Sequence, residues 1–303
     1  MNLRRKKILR RKLRRAQRVI VPSLLIAVLL AIGSSGYLYF FESNIKGDYY
    51  FQKAQELDEA NPYGSREAVK YYKRAIISYD ATGNRGAAVN AYIDLGLLHH
   101  KFGNITQVER MVLNAMRIGG EDIPKPMKAK AYMLLAGTVE PVKAKRYITQ
   151  AITISGELGE KVLTIKSYYI LAKIYEYQAA FSEAQTAYLR AVKVLEKLTP
   201  EDGFFDPELL FADLGELYVG EGNVAGAIHY YEKALKVARG NAMHGMAVAL
   251  YTKTLGDLYQ ERNQMARACA HWNQAKDEYT LMGRQAPISI LQRSHSEGCQ
   301  NLG

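Results

Sequence analysis

Apolar and small residues recur along the chain in one fixed order with helical spacing. In the clearest copy they occupy offsets 0, 3, 4, 7, 16, 20 and 23, and the residues there are Tyr168, Leu171, Ala172, Tyr175, Ala184, Tyr188 and Ala191. Side chains three and four residues apart share one face of an α-helix. Each copy therefore predicts two helices, with the first four positions on one and the last three on the other, and a turn between them.

The same spacing returns elsewhere in the chain. Two further copies are nearly complete and comprise Phe211, Leu214, Gly215, Tyr218, Ala227, Tyr231 and Ala234, then Thr252, Leu255, Gly256, Tyr259, Ala268, Trp272 and Ala275. A fourth copy keeps the spacing with less typical residues and comprises Tyr92, Leu95, Gly96, His99, Val108, Val112 and Ala115. Two degenerate copies begin at Tyr50 and Tyr132. We therefore predict about six helical hairpins over residues 48–278.

These offsets resemble the tetratricopeptide repeat, which carries an aromatic residue, Leu-Gly and Tyr on its first helix, then Ala and an aromatic residue on its second. The resemblance implies an all-α fold, a right-handed α-solenoid of helix-turn-helix repeats. Two features depart from the family pattern. No copy has the closing proline, and the small residue at offset 4 advances by 36 to 43 residues, whereas the family repeat has about 34. The second helices or the connections should therefore be longer than usual.

The resemblance also implies where a partner would bind. In arrays of this family, residues between the packing positions of each first helix line a groove for an extended peptide or a partner helix. The corresponding residues here are Asn90, Ile93, Leu97, His100, Lys166, Tyr169, Lys173, Tyr177, Leu209, Asp213, Glu216, Leu250, Lys253 and Asp257. This mixture of apolar, aromatic and charged groups suits protein recognition, although a solvated helix face has a similar composition.

A different pattern precedes the repeats. Residues 19–41 are 23 uncharged, mostly apolar residues, which as a helix would extend about 34 Å and cross the roughly 30 Å hydrocarbon layer of a bilayer. Residues 1–18 contain ten Lys and Arg and no acid. The positive-inside rule therefore predicts a signal anchor with a cytoplasmic N-terminus, and a repeat domain on the trans side, in the periplasm of a bacterial inner membrane.

Two alternatives remain for this segment. Ala31-Ile32-Gly33 has the small residues of a signal-peptidase site, which would make the segment a cleaved signal peptide. The Arg-rich, acid-free tail, with Leu9 and Leu13 on one helical side, also fits a mitochondrial targeting sequence. In that case the protein would lie in the mitochondrial inner membrane and the repeats would face the intermembrane space.

Composition limits the classes of partner. The chain has 303 residues, 48% of them apolar, which is ample for a sizeable core. Ten charges of the net +11 lie in residues 1–18, because the rest of the chain has 31 basic and 30 acidic residues. We therefore predict protein partners and no nucleic acid, membrane contact through residues 19–41 and, as a lesser role for the basic tail 1–18, contact with anionic lipid.

The sequence contains no catalytic or cofactor motif. The patterns of phosphate-binding loops, zinc proteases, serine hydrolases and dinucleotide-binding folds are absent, and the six histidines do not cluster. His99 occupies a packing position, and Cys269, next to the packing residue Ala268, is predicted to be a buried thiol. We therefore expect no metal, no cofactor and no catalytic residue, and a protein that is not an enzyme.

The sequence thus predicts a single-pass, membrane-anchored scaffold or adaptor for protein–protein interactions in a membrane or envelope complex. One alternative is a mitochondrial inner-membrane adaptor for a membrane protease or for respiratory-complex assembly. Another is a non-catalytic regulatory subunit of a separate enzyme or receptor. In each case residues 279–303 should form a C-terminal cap or tail, with Ile288, Ile290 and Leu291 as its apolar patch.

Overall fold

The computed structural model describes residues 42–61 and 63–300, and these ranges contain helices and turns but no strand. The described helices are α1 (42–59), α2 (Arg66–Thr82), α3 (Arg85–Lys101), α4 (Ile105–Gly119), α5 (Lys125–Ala136), α6 (Pro141–Leu158), α7 (Lys161–Tyr177), α8 (Phe181–Leu195), α9 (Glu208–Gly220), α10 (Val224–Arg239), α11 (Gly245–Glu261), α12 (Met265–Leu281) and α13 (Gln285–Gln300). Short 3-10 turns at Gly120–Asp122, Pro200–Asp202 and Ala242–His244 lie in the connections. The predicted all-α fold is confirmed for this part of the chain.

The basic tail 1–18 and the predicted membrane span 19–41 lie outside the described residues. Among the helices of residues 42–61 and 63–300, none combines the length and the apolar character needed to cross a bilayer. The anchor therefore stays a prediction from the sequence.

Local signals explain where individual helices begin and end. The Ser65 side chain accepts a hydrogen bond from the main-chain N–H of Ala68 at 3.3 Å and caps α2. Gly83 ends α2 with φ at 66°, a conformation that a residue without a Cβ adopts at little cost. Asp206 accepts from the N–H of Glu208, the first residue of α9, at 3.0 Å.

The helices group into two compact units, divided after Leu134 within α5. In the first unit α2 packs against α3, and α3 against α4. In the second unit every helix from α6 to α13 packs against the next one in the chain. Consecutive helices joined by short turns thus form the predicted hairpins, including α3–α4, α7–α8, α9–α10 and α11–α12.

The packing positions of the repeat form the core. In the four clearest copies every residue at offsets 3, 4, 16, 20 and 23 is buried, and the residues at offsets 0 and 7 are buried or half-buried. His99, at offset 7 of its copy, is buried, which confirms its assignment as a packing residue. Burial also lowers the pKa of this histidine, and the charges of Lys73 and Arg110 lower it further.

The small residue at offset 4 lets the two helices of a hairpin approach closely. A Cβ on Gly215 would lie 3.0 Å from Cδ2 of Tyr231, and a Cβ on Gly256 would overlap the indole ring of Trp272. In both hairpins the aromatic side chain at offset 20 covers the glycine at offset 4 of the facing helix. The glycine and the aromatic ring therefore act as one packing unit.

The long repeats have two visible causes. Their second helices reach 18 residues in α6 and 17 residues in both α2 and α12. The connection between α8 and α9 also contains a 3-10 turn, where Asp202 pairs with Lys161 of α7 at 2.8 Å. Hydrogen bonds from Lys161 and from Thr199 lower the pKa of Asp202 to about 2, so this carboxylate remains charged over the physiological range.

Cys269 is buried, but the prediction of a free thiol at this position is wrong. Its sulfur forms a disulfide with Cys299, 30 residues further along the chain. The bond forms because α13 packs against α12, with Ile288 and Leu291 buried and Ile290 exposed. The sequence did not reveal this pairing, because Cys299 lies beyond the last repeat and its position follows only from the fold of α13.

Candidate functional site

The residues predicted to line a groove are distributed over both units. Asn90, Ile93, Leu97 and His100 lie on α3 of the first unit, and the other ten lie on α7, α9 and α11 of the second. Ile93 is fully buried and offers no surface to a partner, which corrects its assignment to the groove. His100 is exposed, whereas Asn90 and Leu97 are half-buried.

A hydrogen-bonded cluster in the second unit unites three of the predicted groove residues. Tyr169 of α7 donates to Oδ2 of Asp213 of α9 at 2.7 Å, and the Lys173 ammonium lies 3.5 Å from the same oxygen. The hydroxyl of Tyr188 on α8 is also 3.5 Å from it. Lys173 pairs in addition with Glu176 at 2.6 Å. Asp213 thus links three successive helices.

The phenols of this cluster stay protonated. Desolvation is the main cause that raises the pKa of Tyr169 and of Tyr188, and the negative charge of Asp213 raises both further. Their hydroxyl groups therefore act as donors to the carboxylate. Because these polar groups bond to one another, the cluster joins α7, α8 and α9. Lys166 and Tyr177 are exposed on α7.

Two of the three predicted groove residues of α11, Lys253 and Asp257, form an ion pair. Lys253 pairs with Oδ2 of Asp257 at 2.5 Å, and Oδ1 of Asp257 accepts a hydrogen bond from the indole N–H of Trp272 at 2.9 Å. This bond holds the indole ring in place over Gly256. Asp257 therefore supports the packing of the α11–α12 hairpin.

Leu209 and Leu250, two predicted groove residues on different helices, meet in one cavity of about 530 Å³. We call it the α9–α11 cavity, and its lining consists of Asp206, Glu208, Leu209, Met243, His244, Met246, Ala247, Leu250 and Tyr251. Four large apolar side chains of this lining are exposed, namely Leu209 by 61%, Met243 by 74%, Met246 by 43% and Leu250 by 51%. Large apolar side chains gathered at an open cavity are typical of a ligand or partner site.

The polar floor of the α9–α11 cavity is a buried carboxylate with two donors. Glu208 is 5% exposed, and its Oε1 accepts a hydrogen bond from the Tyr251 hydroxyl at 3.0 Å. Its Oε2 pairs with Nδ1 of His244. Burial and the bond to Glu208 raise the pKa of Tyr251, so this hydroxyl remains a donor.

Asn241 fixes the proton of the His244 ring. Its Oδ1 accepts from the main-chain N–H of Met243 at 3.0 Å, which leaves its amide nitrogen 2.9 Å from Nε2 of His244. An amide nitrogen is a donor, so Nε2 is the acceptor and the ring proton resides on Nδ1, directed at Glu208.

The same network contains the one group of possible metal ligands found in residues 42–61 and 63–300. Asp206, Glu208 and His244 each offer one ligand atom, and these atoms lie within 4.8 Å of one another. Both ring nitrogens of His244 are already used, one as a donor to Glu208 and one as an acceptor from Asn241. The arrangement fits a hydrogen-bonded network that keeps a buried carboxylate in place better than it fits an ion.

Sequence reasoning identified Leu209 and Leu250 but missed the rest of the lining. Met243 and His244 lie in the connection between α10 and α11, outside every repeat position. Two signals could have found the site. The α10–α11 connection is longer than the turns within the hairpins, and Glu208 is an acid directly before the apolar run 209–212.

A family model described as tetratricopeptide repeat matches residues 210–241. This stretch spans most of α9 and all of α10, one of the nearly complete copies of the sequence pattern. No curated protein sequence matches the chain.

Several solved structures share this fold. BtubC from P. vanneervenii is 20% identical, with a TM-score of 0.58 over 78% of this chain and 92% of its own. A Rap protein complexed with Competence and Sporulation Factor is 14% identical, with a TM-score of 0.59 over 85% of this chain and 76% of its own. A STAND protein with a tetratricopeptide repeat sensor from Pyrococcus horikoshii is 18% identical, with a TM-score of 0.57, but the match spans only 34% of its length. At such identities the likeness shows the fold alone.

Proposed function

We propose that the chain is a tetratricopeptide-repeat scaffold or adaptor that binds a protein partner and catalyses no reaction. The observation that carries the proposal is the α9–α11 cavity, an exposed apolar depression on a helical-repeat fold. Repeats of this kind present side chains of successive first helices next to one another, which suits the binding of a peptide segment.

We also propose that residues 19–41 anchor the protein in a membrane, with the repeats on the trans side. The sequence supports this through its 23 uncharged residues preceded by ten basic ones. The disulfide between Cys269 and Cys299 adds support, because disulfides persist in oxidising compartments such as the bacterial periplasm. The mitochondrial inner membrane, with the repeats in the intermembrane space, is the alternative compartment.

A regulatory subunit of a separate enzyme or receptor would use the same surface. The identity of the bound partner distinguishes the two roles, because a scaffold recovers components of a complex and a regulatory subunit recovers one catalytic or signalling polypeptide. The same experiment therefore addresses both.

The test is crosslinking of the full chain in native membranes, followed by affinity purification and mass spectrometry. We expect a stoichiometric protein partner with the wild type, and a clear loss of it with Leu250→Asp, a change at a half-exposed cavity position. Leu281→Asp is the matched control, because Leu281 is 83% exposed on α12 and lies outside the cavity. Recovery of no protein partner from the wild type, or turnover of a substrate by the chain alone, would refute the proposed function.

A further inference from the structure

We propose that the α9–α11 cavity recognises a partner segment in which an aliphatic side chain lies next to a lysine or arginine. This inference rests on the proposed function, because it names the chemistry of the partner that the scaffold would hold. It follows from the walls, the charge and the size of the cavity.

The walls of the cavity select an apolar side chain. Leu209 and Leu250 face it from α9 and α11, and Met243 and Met246 from the α10–α11 connection and the start of α11. Covering these four exposed groups would remove apolar surface from water, which favours binding. Methionine side chains are unbranched and flexible, so the wall can adjust to aliphatic groups of different shape.

The charge of the cavity selects a cation beside that apolar group. Its lining contains two carboxylates, Asp206 and Glu208, and no lysine or arginine. The imidazole of His244 is held at the floor of this lining, with Nε2 beside the amide of Asn241 and Nδ1 beside Glu208. An apolar wall around two carboxylates concentrates the field at the opening and attracts a cation.

The two carboxylates have different parts in this recognition. Glu208 is buried and held by Tyr251 and His244, so it contributes charge from the floor. Asp206 is exposed at the rim, and its Oδ1 already accepts from the N–H of Glu208 at 3.0 Å, which fixes the side chain before a partner arrives. The outer oxygen of Asp206 is therefore the contact for an ammonium or guanidinium group.

The size of the cavity agrees with a short segment of two side chains. At about 530 Å³ it falls within the range of roughly 300–1,000 Å³ that is usual for ligand pockets. An aliphatic group on the apolar wall and a basic group at Asp206 can occupy this space together. The methylene stem of the lysine or arginine would also lie against apolar surface.

The test uses the full chain in mild detergent and a phage-displayed library of random hexapeptides. We expect the selected peptides to be enriched in Leu, Ile or Met adjacent to Lys or Arg. A selected peptide, synthesised with a fluorescent label, should bind the Leu209→Ser/Met243→Ser variant about tenfold more weakly than the wild type. Leu281→Ser, the control at an exposed leucine outside the cavity, should leave its affinity unchanged.

A second variant tests the charge alone. Asp206→Asn keeps the side-chain oxygen that accepts from the N–H of Glu208 and removes only the negative charge. Folding is therefore preserved, while the affinity for the basic peptide falls and its salt dependence decreases. Glu261→Gln, at an exposed acid at the end of α11, is the control, and it should change neither the affinity for the peptide nor the salt dependence of binding.

Several results would overturn the inference. They are selection of acidic or purely apolar peptides, no enrichment over empty beads, or equal binding of a selected peptide by wild type and cavity variants. Sedimentation in the same detergent provides a further test of the inference. If the wild type self-associates and Leu209→Ser/Met243→Ser does not, a second copy of the chain occupies the cavity and the inference is wrong. Each of these leaves the proposed scaffold function intact if a protein partner is still recovered from native membranes.

Discussion

At the scale of single residues, the hairpins depend on two positions where a side chain is missing. Gly215 and Gly256 face the rings of Tyr231 and Trp272, and neither has room for a Cβ without movement of its partner ring. In α11 the indole ring is also held by its hydrogen bond to Asp257, so it has little freedom to move away. The fit at Gly256 is therefore more sensitive to substitution than that of an ordinary helical glycine.

Gly256→Ala should destabilise the protein by about 1 to 3 kcal/mol, because the added methyl group would force the ring of Trp272 out of its position. Gly156→Ala is the matched control: Gly156 lies in α6 with nothing within 4 Å of an added Cβ. There the change should stabilise by about 0.5 to 1 kcal/mol through lower backbone entropy. Thermal or denaturant unfolding of the two variants measures the difference, and equal stabilities would contradict the packing argument.

The sequence predicts the residues of the core well and those of the cavity poorly, and the reason is physical. Packing positions such as Leu255 and Ala268 repeat because every hairpin must bury the same faces, so their spacing reports their place. Met243 and His244 belong to a connection that has no counterpart in other repeats. They line one cavity with Glu208 because of the way adjacent hairpins stack, and no local sequence pattern encodes that stacking.

At the scale of elements, α13 is joined to α12 both by packing and by a covalent bond. It covers α12 with Ile288 and Leu291 and is joined to it by the disulfide between Cys269 and Cys299. The helix is thus held by burial of two side chains and by one covalent bond.

Reduction of the disulfide should lower the free energy of unfolding by roughly 3 to 4 kcal/mol, the loop-closure entropy expected for a separation of 30 residues. The measurement is thermal unfolding with and without a reductant. Cys299→Ser should reproduce the lower stability and make the reductant ineffective. A reductant effect of equal size in that variant would show that the loss has another origin.

At the scale of the whole molecule, the position of the basic residues and the presence of a disulfide both bear on the proposed membrane topology. The basic excess is confined to residues 1–18, and the remaining residues are almost neutral. The disulfide lies in the last described helix pair, on the far side of the apolar run 19–41 in the sequence. A reducing cytoplasm for the tail and an oxidising compartment for the repeats would suit both features.

Alkaline phosphatase, which becomes active only where its own disulfides form, can report this topology. We expect activity in a bacterial host when it is fused after Gly303, and no activity when it is fused after Arg18, before the apolar run. Removal of residues 19–41 from the longer fusion should abolish the activity. An active enzyme without that segment, or an inactive longer fusion, would contradict the proposed orientation.

The indole ring over Gly256 also makes the protein a selective optical reporter. Trp272 is the one tryptophan of the chain, it is 4% exposed, and it lies three residues from Cys269 on α12. Emission excited selectively from tryptophan therefore follows the α11–α12 hairpin and the neighbouring disulfide, whereas the 22 tyrosines average over the remaining chain. Recording both signals during one unfolding experiment would separate the opening of the last repeat from that of the rest.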